Sequence, residues 1–355
     1  MDIGFVTLAR SLPRIYHLFM TDPLPVGKLP ADLLRSVLAQ TPQTDSRILL
    51  GPNVGVDCAV LDLGERLLVL KSDPITFATA DIGWYLVQVN SNDIATTGAT
   101  PRWLLVTALL PEGSTTPELV EEIAGQVYAA CEASGISVIG GHTEITHGLD
   151  RPILVGTLIG EVDREKLVTP GGMLPGDQVL LTKGVPIEAT AILANEFPER
   201  LGEVLSETEL IAARNYLHDP GISVLRDAQI ALEAGRVTAM HDPTEGGLLA
   251  ALWELAEAGE TTLIIDPAAV PIPPLPARIC AAFGLNPLAT IASGALLLTV
   301  PLNDAPAIIT ALTGAGIPCV AIGQVETGPP AVLEAGTDRS LPRPDQDEIG
   351  RVYET

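Results

Sequence analysis

The sequence predicts an α+β protein of two domains. At 355 residues the chain is longer than one hydrophobic core usually supports, which favours two domains. Predicted strands and helices interleave without a strict strand–helix–strand rhythm, so an α+β arrangement is favoured over a doubly wound parallel sheet. Glycine and proline cluster at 170–177, directly before a new apolar strand. We therefore place the boundary near residue 165, with domains at 1–165 and 166–355.

The composition describes a folded protein without a nucleic-acid or membrane partner. Hydrophobic residues make up 47% of the chain and charged residues 18%, and the mean hydropathy is +0.34, which excludes disorder. The net charge of −24 opposes binding to nucleic acid or to an anionic membrane surface. The longest apolar runs fall short of the ~20 residues that span a bilayer. Four widely spaced cysteines and the lack of a signal sequence predict buried thiols in the cytoplasm.

The first half is predicted to combine short strands with two long helices. A hairpin is predicted around Gly64, because an apolar strand flanks the turn on each side. Asp81 and Gly98 are the start and stop signals of one helix, and Thr116 and Gly135 are those of the next. In order, we predict a helix at 31–39, strands at 58–63 and 66–71, a helix at 81–97, a strand at 103–110, a helix at 117–134, and strands at 136–139 and 153–159.

The second half repeats this mixed pattern after Pro-Gly-Asp at 175–177. No short internal repeat or low-complexity tract interrupts it. We predict strands at 178–182, 237–240, 261–265, 295–300 and 319–322, and helices at 188–196, 207–217, 222–233 and 246–258.

Four oxygen-bearing side chains of the first half are candidates for a cation and phosphate site. Asp57 and Asp73 lie near the ends of predicted strands, and Asn90 and Asp93 share one face of a predicted helix. Hard cations such as Mg²⁺ take such oxygen ligands, and a bridging cation would let so acidic a chain hold a polyphosphate. Each carboxylate alone is more typical of a turn, so both interpretations stay open.

The segment Gly-Gly-His-Thr-Glu at 140–144 is a second candidate. Its two glycines permit close backbone approach to a ligand, and Thr143 and Glu144 supply oxygen ligands. A tight turn would produce the same pattern. Zinc binding by His142, Glu144 and His147 is disfavoured, because the zinc motif needs histidines at i and i+4 on a helix and these two are five apart.

A third candidate, His-Asp-Pro-Thr-Glu-Gly-Gly at 241–247, joins a predicted strand to a predicted helix. A helix N-terminus offers free N–H groups and the positive end of the helix dipole, which suits an anion. Simple N-capping by Thr244 or Asp242 is the alternative. The chain has no Walker A loop and no G-x-G-x-x-G, so ATP would have to bind by another route.

Taken together, these segments resemble the aminoimidazole ribonucleotide (AIR) synthetase superfamily, nearest to its hydrogenase maturation dehydratase branch. Thiamine monophosphate kinase and selenophosphate synthetase are further members of that superfamily. Ordered matches over most of the chain are more specific than any single motif. The matching segments are Gly-Val-Asp-Cys-Ala-Val at 55–60, Val-Asn-Ser-Asn-Asp-Ile-Ala at 89–95, Gly-Ala-Thr-Pro at 98–101, residues 140–144, Pro-Gly-Asp at 175–177, residues 242–248, Asn-Pro-Leu at 286–288 and Ser-Gly-Ala-Leu at 293–296.

The resemblance implies an AIR synthase-like fold, in which the N-terminal domain forms a dimeric β-barrel and the C-terminal domain an α/β sandwich. It also implies ATP and Mg²⁺ as cofactors, a homodimer, and phosphoryl transfer to an oxygen of a small-molecule substrate. Asp73 and Asp242 would be catalytic. The implied metal ligands are Asp57, Asp73, Asp93 and Glu144, and the implied nucleotide-binding residues are Asn90, Asn92, Gly140, Gly141, His142, Thr143, Thr244, Gly246 and Gly247.

The chain departs from the family pattern at several positions. Val56 and Ser293 each replace an acidic residue, and His142 stands where many members have Asp. The family's dehydratase ends in a cysteine that carries a carbamoyl group, whereas this sequence ends Val-Tyr-Glu-Thr, and a similar Pro-Ala-Arg-Ile-Cys stretch lies internally at 276–280. We therefore expect an ATP- and Mg²⁺-dependent enzyme without carbamoyl chemistry. A kinase resembling thiamine monophosphate kinase and a non-catalytic nucleotide-binding regulatory protein are the alternatives.

Overall fold

The computed structural model describes residue 29 and residues 31–42, 45–53, 55–76, 80–337 and 339–353. Its elements, in chain order, are α1 (Ala31–Leu38), β1 (Ile48–Leu50), β2 (Ala59–Asp62), β3 (Leu67–Ile75), α2 (Ile82–Thr96), β4 (Thr100–Pro111), α3 (Pro117–Ser134), β5 (Ser137–Thr146), β6 (Ile153–Val162), β7 (Gln178–Thr182), α4 (Glu188–Glu196), α5 (Pro198–Gly202), α6 (Glu207–Arg214), α7 (Leu225–Ala234), β8 (Ala239–His241), α8 (Gly247–Gly259), β9 (Thr262–Ile265), α9 (Pro274–Phe283), β10 (Leu297–Val300), α10 (Ala305–Gly314), β11 (Cys319–Glu326), β12 (Ala331–Glu334) and α11 (Gly350–Tyr353).

The first half forms a mixed sheet whose strand order is β1-β2-β3-β6-β4-β5. Neighbouring strands are antiparallel except β4 and β5, which are parallel. The register places Asp73 opposite Gly156, Gly156 opposite Val106, and Val106 opposite Gly141. Asp73 and Gly141 therefore lie on one line across the sheet, three strand spacings or roughly 14 Å apart. Strand β5 forms one edge of this sheet.

Helix α2 joins the two halves of the molecule. Nearly all of its residues are buried, because it packs against strands of the first sheet, against α3 and against α7 of the second half. Its polar side chains need internal partners at this depth. Asn92 finds them across the junction, where Nδ2 donates to the carbonyl of Ile222 at 2.8 Å and Oδ1 accepts from the N–H of Val224 at 2.9 Å.

The second half contains another mixed sheet, in the order β12-β9-β11-β7-β10-β8. Strands β7, β8 and β10 of this sheet are buried on both faces, since alternate residues belong to different cores. In β7, Val179 and Leu181 pack with α8, whereas Leu180 packs with α7 and α10. Helices on both faces of this sheet agree with the layered C-terminal domain that the sequence suggested.

The predicted two-domain α+β fold is confirmed, with differences in detail. The first sheet is open in the described residues, not a closed barrel. Strand β3 continues through Asp73, and β5 continues through residues 140–144, so neither is the strand-end loop that we predicted. Asp81 has a left-handed φ of 54° and makes no side-chain cap, contrary to the predicted N-cap. Helices α5, α9, α10 and α11 and the strands β1 and β12 were not predicted.

Two expectations about the whole chain can be compared with the described residues. None of the helices in those residues is both long and apolar enough to cross a membrane. All four cysteines (Cys58, Cys131, Cys280 and Cys319) are free and buried, as predicted.

Candidate active site

Three aspartates of the first half surround one lysine. The Nζ of Lys71 lies 2.9 Å from Asp93 Oδ2, 3.5 Å from Asp73 Oδ2 and 3.8 Å from Asp57 Oδ1. Lys71 and Asp73 are two residues apart in β3 and so share one face of the strand, whereas Asp93 belongs to α2 and Asp57 precedes β2. The Lys71 side chain is only 11% exposed, so solvent and salt screen these ion pairs weakly. We call these four residues the carboxylate cluster.

Asn90 positions the backbone of β3 beside the carboxylate cluster. Its Oδ1 accepts from the N–H of Asp73 at 3.1 Å, and its Nδ2 donates to the carbonyl of Leu86 at 2.8 Å. A Cβ at Gly156 would lie 2.7 Å from Asn90 Nδ2, so the close approach of β6 requires glycine there. The amides of Asn90 and Asn92 are thus engaged in internal hydrogen bonds, which their predicted role in nucleotide binding did not anticipate.

The second half contributes His241 and Asp242 at the same junction. His241 Nε2 lies 2.8 Å from Glu254 Oε2 and 3.7 Å from Asp57 Oδ2, and Nδ1 lies 3.0 Å from the carbonyl oxygen of Asp242. A carbonyl and ionised carboxylates only accept hydrogen bonds, so both ring nitrogens carry a proton and His241 is an imidazolium. Asp242 is buried, and neither of its carboxylate oxygens has a hydrogen-bond partner.

The pKa values follow from burial and from the neighbouring charges. Burial alone would lower the pKa of Lys71, but Asp93, Asp57 and Asp73 raise it well above its usual value. Burial also acts to lower the pKa of His241, which the hydrogen bond to Glu254 and the charge of Asp57 raise to about 10. Burial and the nearby Asp93 raise the pKa of Asp242 well above its usual value, although His241 opposes them. The site therefore contains two resident cations and one acid that favours its neutral form.

The donor set fits a divalent cation best beside Asp242. A buried carboxylate without a partner is costly, and a cation at this position would satisfy both of its oxygens. In the part of the chain that the structure describes, no three or more His, Cys, Asp or Glu side chains form a ready metal cage. Mg²⁺ commonly binds through one or two carboxylates together with phosphate oxygens and waters. The residues therefore suit a Mg²⁺ ion that binds together with a nucleotide.

In the glycine loop before α8, the backbone N–H of Gly246 already has an anionic partner from the same chain. Gly246 has a φ of 80° and donates its N–H to Asp347 Oδ2 at 2.6 Å, so a carboxylate from the C-terminal segment already occupies this anion-binding position. A Cβ at Gly247 would lie 2.7 Å from the backbone of Thr290, and packing therefore explains the second glycine. The carbonyl of Thr244 accepts from the N–H of Gly247 at 2.9 Å. The cradle predicted for a phosphate is thus filled by Asp347.

Ser293, which replaces an acid of the family pattern, contacts a buried acid from α4. The carboxylate of Glu188 accepts hydrogen bonds from the side chain and the backbone of Ser293. Burial raises the pKa of Glu188 to about 7, Asp347 adds to the rise, and the Ser293 hydrogen bonds oppose it. A second acid at position 293 would add a like charge at this buried site, which gives a physical reason for serine.

Residues 140–144 lie apart from the carboxylate cluster, on the exposed edge strand β5. The Glu144 side chain is 53% exposed, and its Oε2 lies 3.3 Å from His142 Nε2. A Cβ at Gly141 would lie 1.8 Å from the carbonyl oxygen of Val106, so strand packing alone requires that glycine. Metal–oxygen distances are about 2.0–2.6 Å, whereas two strands separate β5 from β3. Within one chain, Glu144 therefore lies too far from Asp73 to share a metal ion with it, and its role as a metal ligand stays a prediction.

Three residues described here were not found from the sequence: Lys71, Glu188 and Glu254. His241 belonged to the candidate segment 241–247 but was given no role of its own. Lys71 did carry a signal, because a strand places residues i and i+2 on one face and Lys71 precedes Asp73 by two. Glu254 lies in α8 and reaches His241 only through the tertiary fold, so no local spacing could have indicated it.

This chain is similar in sequence and in fold to hydrogenase maturation proteins, and in fold to AaThiL. A carbamoyl dehydratase HypE from Cupriavidus necator is 30% identical over 244 residues, which are 68% of this chain and 66% of that protein. A crystal structure of the hydrogenase maturation protein HypE is 25% identical, with a TM-score of 0.67, and the match covers 84% of this chain and 95% of that one. A crystal structure of HypE in complex with ATP is 24% identical, with a TM-score of 0.67, and the match covers 89% of this chain and 91% of that one. AaThiL complexed with AMPPCP and TMP is 21% identical over 89% of this chain and 94% of its own, with a TM-score of 0.68.

Family models match both halves of the sequence. Residues 55–162 match the N-terminal domain of AIR synthase related protein, and residues 175–335 match its C-terminal domain. The two matches include the carboxylate cluster, His241 and Asp242. The chain therefore belongs to the AIR synthase related family, as its ordered motifs predicted.

Proposed function

We propose that this protein is an ATP- and Mg²⁺-dependent enzyme that transfers a phosphoryl group to an oxygen of a small-molecule substrate. The observation that carries the proposal is the meeting of the carboxylate cluster with Asp242, whose two buried oxygens have no hydrogen-bond partner, at the junction of the two halves. Membership of the AIR synthase related family supports it. So do the similar structures of HypE in complex with ATP and of AaThiL with AMPPCP.

The proposed roles follow from charge and position. Asp242 from the second half would hold Mg²⁺ on the side of the carboxylate cluster that faces it, where Asp57, Asp73 and Asp93 supply the neighbouring carboxylates. Asp73 and Asp242 are the proposed catalytic residues. Mg²⁺ would supply positive charge that offsets the charge of the polyphosphate. Lys71 provides a fixed positive charge among the aspartates. The high pKa of Asp242 lets this acid hold a proton when no metal ion is bound.

We propose that no cysteine of this chain accepts a carbamoyl group. A thiol acts as a nucleophile through its thiolate, and burial raises the pKa of Cys280 to about 12 and that of Cys131 to about 11. Incubation with carbamoyl phosphate and a carbamoylating partner, followed by mass spectrometry, should find no thiocarbamate. A thiocarbamate on Cys280 or on any other cysteine would contradict this proposal.

We also propose a homodimer formed through β5. This edge strand exposes Ile139 and Ile145 at 53% and 60%, and a groove of about 340 Å³ lies between β5, β4 and α3. Exposed apolar edge strands pair readily with another chain, and two such sheets could together form the β-barrel implied by the family resemblance. We propose that in this dimer residues 140–144 reach the nucleotide site of the second copy, since they do not reach the site of their own chain.

The test of the enzymatic proposal is ADP formation. The protein is incubated with Mg-ATP and a panel of metabolites bearing hydroxyl, carboxylate or amide oxygens. We expect ADP with one substrate class and none with Asp73→Asn. If Mg-ATP binds but no member of the panel yields ADP, the nucleotide-binding regulatory protein becomes the better description.

A further inference from the structure

We propose that the ammonium group of Lys71 takes the place of one divalent cation in the carboxylate cluster. The chain would then bind its nucleotide with fewer metal ions than its aspartates alone would require. This inference rests on the proposed function for the place of the nucleotide, but its test is performed without nucleotide.

The first argument is geometric. Lys71 Nζ lies within 4 Å of oxygens from Asp57, Asp73 and Asp93, which come from a loop, a strand and a helix. A divalent cation would need the same oxygens at about 2.0–2.6 Å. The ammonium and a metal ion cannot both occupy the space between these three carboxylates.

The second argument is that the position of Lys71 is fixed by the fold. It lies in the middle of β3, where its backbone is paired with β6 opposite Leu158, and its side chain is 11% exposed. The other described lysines are paired elsewhere, the exposed Lys166 with Asp163 and Lys183 with Asp227. Lys71 therefore belongs to the cluster permanently, unlike an ion that exchanges with solvent.

The third argument is the contrast with Asp242. The carboxylates around Lys71 have a cation, whereas both oxygens of Asp242 are buried without a hydrogen-bond partner. His241, the other resident cation, is engaged by Glu254 and the Asp242 carbonyl. A metal ion that accompanies the nucleotide would therefore be needed on the Asp242 side and not between the three carboxylates.

The test counts bound Mn²⁺ by electron paramagnetic resonance in the absence of nucleotide. Lys71→Met removes the charge and keeps a long side chain, so it should bind roughly one more Mn²⁺ per chain than wild type. Lys71→Arg retains the charge and should bind no more than wild type. Lys166→Met is the matched control for loss of one lysine, and it should also equal wild type.

Thermal melting without nucleotide provides a second readout. Mg²⁺ should raise the melting temperature of Lys71→Met and leave that of wild type nearly unchanged. If Lys71→Met does not fold without metal, refolding on addition of Mg²⁺ supports the proposal. The double variant Lys71→Met/Asp93→Asn removes a carboxylate as well, so it should fold without Mg²⁺ and bind no extra Mn²⁺.

Two results would overturn the proposal. One is an unchanged Mn²⁺ count in a folded Lys71→Met protein, and the other is a wild-type protein that already binds Mn²⁺ tightly between these carboxylates. Failure of the proposed function would give a different result, because Mg-ATP would then not raise the melting temperature of the wild-type protein. The Mn²⁺ count without nucleotide does not depend on that result.

Discussion

The carboxylate cluster and the β5 segment at residues 140–144 both have the composition of a ligand site, yet only the first assembles within one chain. The cluster brings together residues from β3, α2 and the loop before β2, and it meets Asp242 after β8. The β5 segment lies at the sheet edge with its side chains exposed. Strand order causes the difference, because β6 and β4 lie between β3 and β5. Motifs that belong to one family pattern therefore form one site only if the order of the strands in the sheet brings them together.

The largest expected effect is that of removing Lys71, the cation of the carboxylate cluster. Lys71→Met, measured without metal or nucleotide, should lower the free energy of unfolding by about 3 kcal/mol, because it leaves buried carboxylates without their cation. This value is at the low end of the usual cost of breaking a buried ion pair, since the side chains of Asp57 and Asp73 are 33% and 35% exposed. Lys166→Met, which breaks a surface pair, should leave stability nearly unchanged. Urea unfolding measures both, and equal losses would show that the cluster is no more sensitive than the surface.

Glu188, a buried acid outside the carboxylate cluster, shows how a carboxylate behaves without a cation beside it. Glu188 is buried, and within the described residues it forms no salt bridge. Its folded-state pKa of about 7 lies above the ordinary 4.5, so its contribution to stability is present below pH 4.5 and is lost as pH rises through about 7. Glu188→Gln should therefore gain about 2 kcal/mol relative to wild type between pH 5 and pH 8. Urea unfolding at both pH values tests this, and a constant difference would contradict it.

The exposed β5 edge predicts a change in assembly without a change in fold. Ile139→Asp places a charge on the proposed dimer interface and should convert the protein to a monomer in light scattering. Ile211→Asp is the matched control, because Ile211 is 59% exposed on α6, outside the first sheet. A wild-type protein that is already monomeric at micromolar concentration would contradict the proposed dimer, and so would a dimer that survives Ile139→Asp.

The smallest expected effect tests whether β5 serves the site of a second copy. Glu144→Gln should reduce, but not abolish, the stabilisation by Mg-ATP in the dimer. In the Ile139→Asp background the same change should have no effect, because Glu144 is too far from Asp73 in its own chain. The Mg-ATP-induced shift in melting temperature is measured for wild type, Glu144→Gln, Ile139→Asp and the double variant. An equal effect of Glu144→Gln in both backgrounds would show that β5 contacts the nucleotide of its own chain.

The sequence predicted those parts of the fold and the site that depend on local pattern. Cap and stop signals located α3, whose Thr116 accepts from the N–H of Leu119, and ordered motifs identified the family. Strand lengths were underestimated because Asp73, Pro74 and the glycines of β5 are poor strand formers, and tertiary pairing overrode their propensity. The use of Gly246 by Asp347 and of His241 by Glu254 depends on contacts between distant segments. No spacing in the sequence indicates such contacts.

The central claim is that the carboxylate cluster and Asp242 form a Mg²⁺-nucleotide site, and thermal melting tests it most directly. Mg-ATP at about a hundred times its dissociation constant should stabilise wild type by roughly 2.7 kcal/mol, and ATP with a chelator should do so far less. Asp73→Asn should lose most of this stabilisation. Asp62→Asn, which changes an acid of the neighbouring strand β2 that pairs with Arg164, should retain it. If Asp73→Asn is stabilised by Mg-ATP as much as wild type, the carboxylate cluster is not the metal–nucleotide site.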